Sequence, residues 1–329
     1  MRMMTSQNHV LDWLLEDDQP AVRYYALVDL MDFPPADPAV EEARAAIPLR
    51  GWAAEILRTQ KPGGYWGAPD APYYPKYDNT TWKWIVLGDL GLTAKVPGMR
   101  ESCELFLERN APDGGFGRKV SHFCVTGNFS RTLIRAGYRD DRRVRSALDW
   151  LVDEQKSDGG WHCFDSEKGT LDCWEALAAF GALGRERLTR SMKRSVERGS
   201  EFYLERKLHK EGSRKYAPWF RFHYPTHYYY DILVGLDVLT ALGYGDDRRL
   251  EYGLKVLREK RQPDGRWHLD AVHPDLGPGA KYSVNPPVTP FALEEAGMAS
   301  KWITLTALRV LKRVEGEVGP PIDSGLALR

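Results

Sequence analysis

Apolar residues recur along this chain in two alternating textures. In the first, over residues 145–155, they keep to one face of a helix and leave the other charged. That is the pattern of a helix on an outer layer. In the second, over residues 172–183, Trp174, Leu177 and Phe180 stand on one side while Ala176, Ala178 and Ala179 fill the rest. A helix apolar nearly all round belongs inside. The spacing predicts inner helices over 80–90, 126–136, 172–183, 226–242 and 299–314. Earlier, Leu11, Leu14 and Leu15 keep helical spacing, Pro20 suits a first helical turn, and Val22 to Leu30 continue the pattern until Pro34-Pro35 breaks it. Two more short helices fit residues 40–47 and 52–57.

The turns between the textures repeat as well. Gln60 to Trp66, Asp113-Gly114-Gly115-Phe116, Asp158-Gly159-Gly160-Trp161 and Asp264-Gly265-Arg266-Trp267 each end a charged helix with a glycine turn and a large aromatic. The first intervals, 66 to 116 and 116 to 161, are 50 and 45 residues, and the interval from 161 to 267 is two periods with a degenerate copy near Trp219. Residues 137–162 and 243–268 align without a gap, each opening on a glycine stop followed by an Asp-Asp pair. Those pairs, Asp140-Asp141 and Asp246-Asp247, read as helix N-caps. Paired inner and outer helices at this period describe a solenoid or a closed ring. No strand pattern competes, so the expected class is all-α: an α/α toroid of about five to six helical hairpins spanning 50–315. Residues 1–49 pack on or complete the ring, and 316–329 form a tail. The glycine- and proline-rich 271–297 is long for a loop and reads as a lid or strap.

Composition narrows the function classes. In 329 residues, basic and acidic side chains balance at 46 each and no long basic run occurs, which argues against a nucleic-acid binder. Nowhere do about 18 apolar residues run together, so no membrane span is expected. The first twenty residues lack the layout of a signal peptide, and four cysteines are too few for a disulfide framework. Reduced thiols and a cytoplasmic location are the expectation.

Arg145, Ala147, Trp150, Leu151, Gln155, Gly159 and Trp161 resemble the QW motif of squalene and triterpene cyclases, and the Gly-Gly-aromatic unit also resembles protein prenyltransferase β subunits. The resemblance covers roughly 50–315 and implies the α/α toroid those families share. It implies an enzyme that acts on an isoprenoid or other hydrophobic substrate in a central cavity. The Asp-x-Asp-Asp acid of class II cyclases is absent, so a cyclase here would need Asp78, Asp172 or Asp231 in its place. The prenyltransferase likeness implies zinc on Asp172, Cys173 and His227, with Lys168 facing a prenyl diphosphate. Zinc transferases of that kind also need a separate subunit, so a protein partner is open.

Predicted inner-helix starts gather Asp78, His122 with Cys124, His162 with Cys163, Asp172 with Cys173, and His223 with His227 on one rim. Thiolate, imidazole and carboxylate suit zinc, and Cys124 or His122 would serve as a fourth ligand. The same groups allow a metal-free nucleophile, Cys173 or Cys163, with His162 or His227 as base. Trp82, Trp84, Trp174 and Tyr228 could wall an aromatic cavity suited to cationic isoprenoid chemistry, or they could simply be core. Three readings stay open: a zinc-dependent transferase, a metal-free cyclase or isomerase, and a non-catalytic ring that binds a lipid or a protein.

Overall fold

The computed structural model describes residues 9–117, 119–213, 216–273 and 292–316. After a short helix over 9–14 come α1 (Pro20–Tyr25, continued by a π turn Ala26–Leu30), α2 (Pro38–Ala46) and α3 (Gly51–Arg58). There follow α4 (Thr80–Asp89), α5 (Pro97–Leu107), α6 (Phe123–Leu133, continued by a π turn Ile134–Tyr138), α7 (Arg142–Asp153) and α8 (Glu175–Leu183). The series ends with α9 (Arg190–Glu205), α10 (Ile232–Ala241), α11 (Glu251–Glu259) and α12 (Lys301–Glu315). Among the described residues strand pairing is limited to isolated bridges.

The two textures sort these helices as their apolar faces require. On α7 only Val144, Ala147, Leu148 and Leu151 are buried. On α8 almost every side is buried, from Glu175 and Ala176 to Leu183. The inner helices pack in series, α4 on α6, α6 on α8, α8 on α10 and α10 on α12. The ring then closes, because α12 packs on α1 and its π turn while α3 bridges α1 to α4. Charged ties lock that seam: Lys301 binds Glu16 and Asp18, and Arg309 Nη2 lies 2.7 Å from Asp29. The fold is therefore an α/α toroid, with one continuous apolar cluster running from Val10 to Leu311.

The repeated turns have a shared hydrogen-bond plan. The indoles of Trp66, Trp161 and Trp267 each donate to a carbonyl ten residues earlier, on Ile56, Leu151 and Leu257, at 2.8–2.9 Å. The backbone N–H groups of Trp66, Phe116 and Trp267 donate to Thr80, Thr126 and Thr304 on the following inner helices. Gln60 reaches Gly98 and Ser102 of α5, and Gln155 reaches Ser195 of α9, so each glutamine fastens one outer helix to the next. Gly159 has φ +88°, and a Cβ there would lie 2.5 Å from the Arg198 carbonyl oxygen. The turn needs glycine for both reasons. Asp141 and Asp247 cap their helices by accepting from the N–H groups of Arg143 and Arg249, as the sequence pattern suggests.

Candidate functional site

The inner helices surround a cavity of about 390 Å³. Its floor is aromatic and polar, formed by Trp174 and Trp302 with His223 and Thr226. Leu177, Leu233 and Ile303 make apolar walls. The opposite end is charged, because the C-terminal halves of α4, α6, α10 and α12 bring Asp89, Arg131, Asp237, Arg309 and Arg313 together. Asp29 and Arg135 come from the two π turns. Asp89 bridges Arg131 at 3.0 Å and Arg135 at 2.5 Å, Asp29 holds Arg309, and Asp237 holds Arg313 at 2.7 Å. Burial would raise the Asp237 carboxyl, but Arg313 and Arg309 outweigh it and hold the group below its ordinary range. Burial pulls the Arg131 guanidinium down, while Asp89 pulls it back up. The Nε atoms of Arg131 and Arg309 are buried with no partner.

At the floor stands a buried pair. His223 Nδ1 lies 2.7 Å from Asp231 Oδ2, and both side chains are only 1% exposed. The same carboxylate accepts from the His223 N–H at 3.1 Å and, through Oδ1, from Val234 N at 2.8 Å, where Asp231 is the N-cap of α10. In the neutral ring, a carboxylate at Nδ1 draws the proton to that nitrogen and leaves the lone pair on Nε2. Nε2 is buried and has no partner. One aspartate thus fixes a helix start, a backbone turn and a histidine tautomer together. Behind Trp174, Glu175 is fully buried with neither carboxylate oxygen partnered, and burial pushes its carboxyl well above the usual range.

The rim of inner-helix starts, where the sequence gathers most of its reactive side chains, is closed among the described residues. The segment between α9 and α10 crosses it, and Tyr228 and Tyr229 meet Tyr77 on the far side at 2.6 and 3.1 Å. His227 is fully buried against Tyr77 and Trp82, with ring centroids 5.4 and 5.3 Å away. The remaining space beside Trp82 and Tyr228 is about 10 Å³, room for one water at most. This end is a plug, and the cavity lies on its other side.

The expected site residues separate accordingly. Trp174 lines the cavity, and Asp231 holds His223 beside it. Trp82 and Tyr228 belong to the plug. Trp84 faces outward, stacked on Phe106 at 4.2 Å with its indole donating to Cys103, so it is wall core. Asp78 pairs with Lys83 at 2.7 Å and is half exposed, and Lys168 is exposed in a loop held by Ser166. Asp172 accepts from the Trp219 indole at 2.7 Å. Cys173 lies 3.5 Å from Cys163, and Cys124 is the other thiol beside Cys163. Asp172, Cys173, His227 and Cys124 therefore do not form one ligand set. Among the described residues, no group of three or more His, Cys, Asp or Glu is placed to hold a metal ion.

Arg131 belongs to the last turn of α6, at the opposite end from the rim. No sequence motif marks the charged end as a whole. One signal was nonetheless present: Asp237 is the single charge inside α10, a helix otherwise apolar nearly all round, where only a polar interior tolerates it. The expected lid over 271–297 lies largely outside the described residues, as does most of the tail from 316.

No family model matches this sequence, and no curated protein matches it. Among solved structures, the type II terpene cyclase MstE from Scytonema is similar at 17% identity, covering 94% of this chain and 96% of that one with a TM-score of 0.48. The ent-copalyl diphosphate synthase from Streptomyces platensis shows 18% identity over 61% of this chain and 43% of its own, with a TM-score of 0.37. A polysaccharide lyase shows 12% identity over 94% and 98%, with a TM-score of 0.47. At these identities and superpositions no activity passes from those proteins to this chain.

Proposed function

We propose that the ring is a terpenoid-cyclase-like enzyme that moves a proton on an isoprenoid or similarly hydrophobic substrate bearing an anionic end. The observation that carries this reading is the His223–Asp231 pair, buried at the aromatic floor of the cavity with Nε2 without a partner. An imidazole held by a carboxylate through one nitrogen offers the other as general base, and once protonated as general acid. Trp174 and Trp302 would flank the reacting carbons, and aromatic faces stabilise positive charge developing on them. Arg131, Arg135, Arg309 and Arg313 would draw the anionic end by their charge, which fixes the substrate's direction in the cavity. A closed floor keeps bulk water from a carbocation or carbanion, which favours isomerisation or cyclisation over hydrolysis.

The test is incubation of the purified protein with isoprenoid carboxylates and diphosphates in deuterated water, followed by mass spectrometry of the recovered lipid. Wild type is expected to yield deuterated or rearranged product. His223→Gln should lose about 10²- to 10⁴-fold in rate, the usual worth of a positioned acid–base group, with binding retained. Turnover by His223→Gln at the wild-type rate would sink the assignment. Zinc dependence is tested in the same assay with a chelator, and no loss is expected.

A further inference from the structure

Three of the four cysteines gather at the start of α8, a cluster that plays no part in the proton transfer proposed above. Cys163 follows the Gly159-Gly160 turn and is partly exposed. Cys173 opens the way into α8 and is only 2% exposed. Their sulfurs stand 3.5 Å apart, and the Cys124 thiol of α6 is within hydrogen-bond reach of Cys163. Elsewhere Cys103 is alone in the outer wall beside Trp84. A thiol cluster with one accessible member and one buried partner at this separation is the geometry of an attacking and a resolving cysteine.

We infer that Cys163 and Cys173 form a hydroperoxide-sensitive redox site, with Cys163 the residue oxidised and Cys173 the one that resolves it. The Cys163 thiolate attacks the terminal oxygen of a hydroperoxide, so an S–O bond forms, the O–O bond breaks, and the alcohol or water leaves with the proton. The Cys173 thiol then attacks the sulfenic sulfur and its proton passes to the departing hydroxide, so the S–S bond forms, the S–O bond breaks and water leaves. Closing the bond brings the sulfurs from 3.5 Å to roughly 2.0 Å. That draws the start of α8, and with it Trp174 of the cavity floor, toward the loop. A low-molecular-weight thiol reverses the change by exchange.

Sequence makes the test clean, because trypsin cuts at Lys168 between the two cysteines and leaves them on separate peptides, 157–168 and 169–185. Reduced full-length protein treated with stoichiometric hydrogen peroxide should yield these two peptides joined, with the loss of two hydrogens, and dithiothreitol should part them. Cys173→Ser should lose the joined pair and leave a sulfenic acid on Cys163 that dimedone traps, whereas Cys124→Ala should keep the pair. Circular dichroism checks that each variant is folded. Oxidised wild type lacking the joined pair, or joining Cys163 to Cys124 instead, would overturn the inference.

Discussion

The two ends of the ring have been built in opposite ways from the same helices. At the inner-helix starts, Tyr77, Trp82, His227 and Tyr228 fill the space and every polar tip is spent on a neighbour or buried neutral. At the other end, Asp29, Asp89 and Asp237 pair directly with arginines, and those pairs line an open volume. Side chains rich in chemistry therefore sit where packing is complete, and ordinary arginines sit where a ligand would enter. Reactive residue types mark a site only when space and unpaired donors accompany them.

That contrast yields an ordered set of expectations. Trp82→Ala, at the filled end, should cost about 3–5 kcal/mol of stability, measured by urea melts. A loss below about 1 kcal/mol would mean the plug is loosely packed. Arg309→Met, at the open end, should weaken an anionic isoprenoid by roughly ten- to a hundredfold, since a hydrogen bond to a charged group is worth about 1.5–3 kcal/mol. Calorimetry on the folded variant reads this, and unchanged affinity would remove the anion from the scheme.

Acid should act on the filled end. Burial pulls His227 down to about 3 and His273 to about 2, from an ordinary value of 6.5. Both are held neutral, so their contribution is complete above pH 6.5 and drains as pH falls toward those values. Each costs about 1.4 kcal/mol per pH unit within that window. His227→Phe should flatten the fall in stability between neutral pH and pH 4, and an unchanged slope would show that the ring charges without penalty. The smallest effect is expected at Asp172→Asn, where the Trp219 hydrogen bond changes from charged to neutral. About 1 kcal/mol or less of stability should go, with turnover kept. A dead but folded Asp172→Asn would restore the rim as the reacting end.

Much of the scaffold was legible in advance. The alternation of one-faced and all-round apolar helices, the Asp-Gly-Gly-aromatic turns and the Asp-Asp caps are local rules, and they hold for α7, α8, Trp161, Asp141 and Asp247. The site was far less legible. His223 and Asp231 were visible as residue types, but their pairing depends on the turn that crosses the rim. Trp84 and Trp174 look alike in the sequence, yet one faces Phe106 in the wall and the other faces the cavity.

Periodicity is written into neighbouring residues, so the chain by itself determined which segments are helices, which are inner and outer, and that they repeat toward a ring. Which end of that ring stays open depends on side-chain volumes meeting from segments some 150 residues apart, as Tyr77 and Tyr228 do. Whether a histidine is packed away or left with an unpaired nitrogen depends on the same meetings. Only the folded ring decides that, because filled volume and unpaired polar atoms are properties of packing among distant segments.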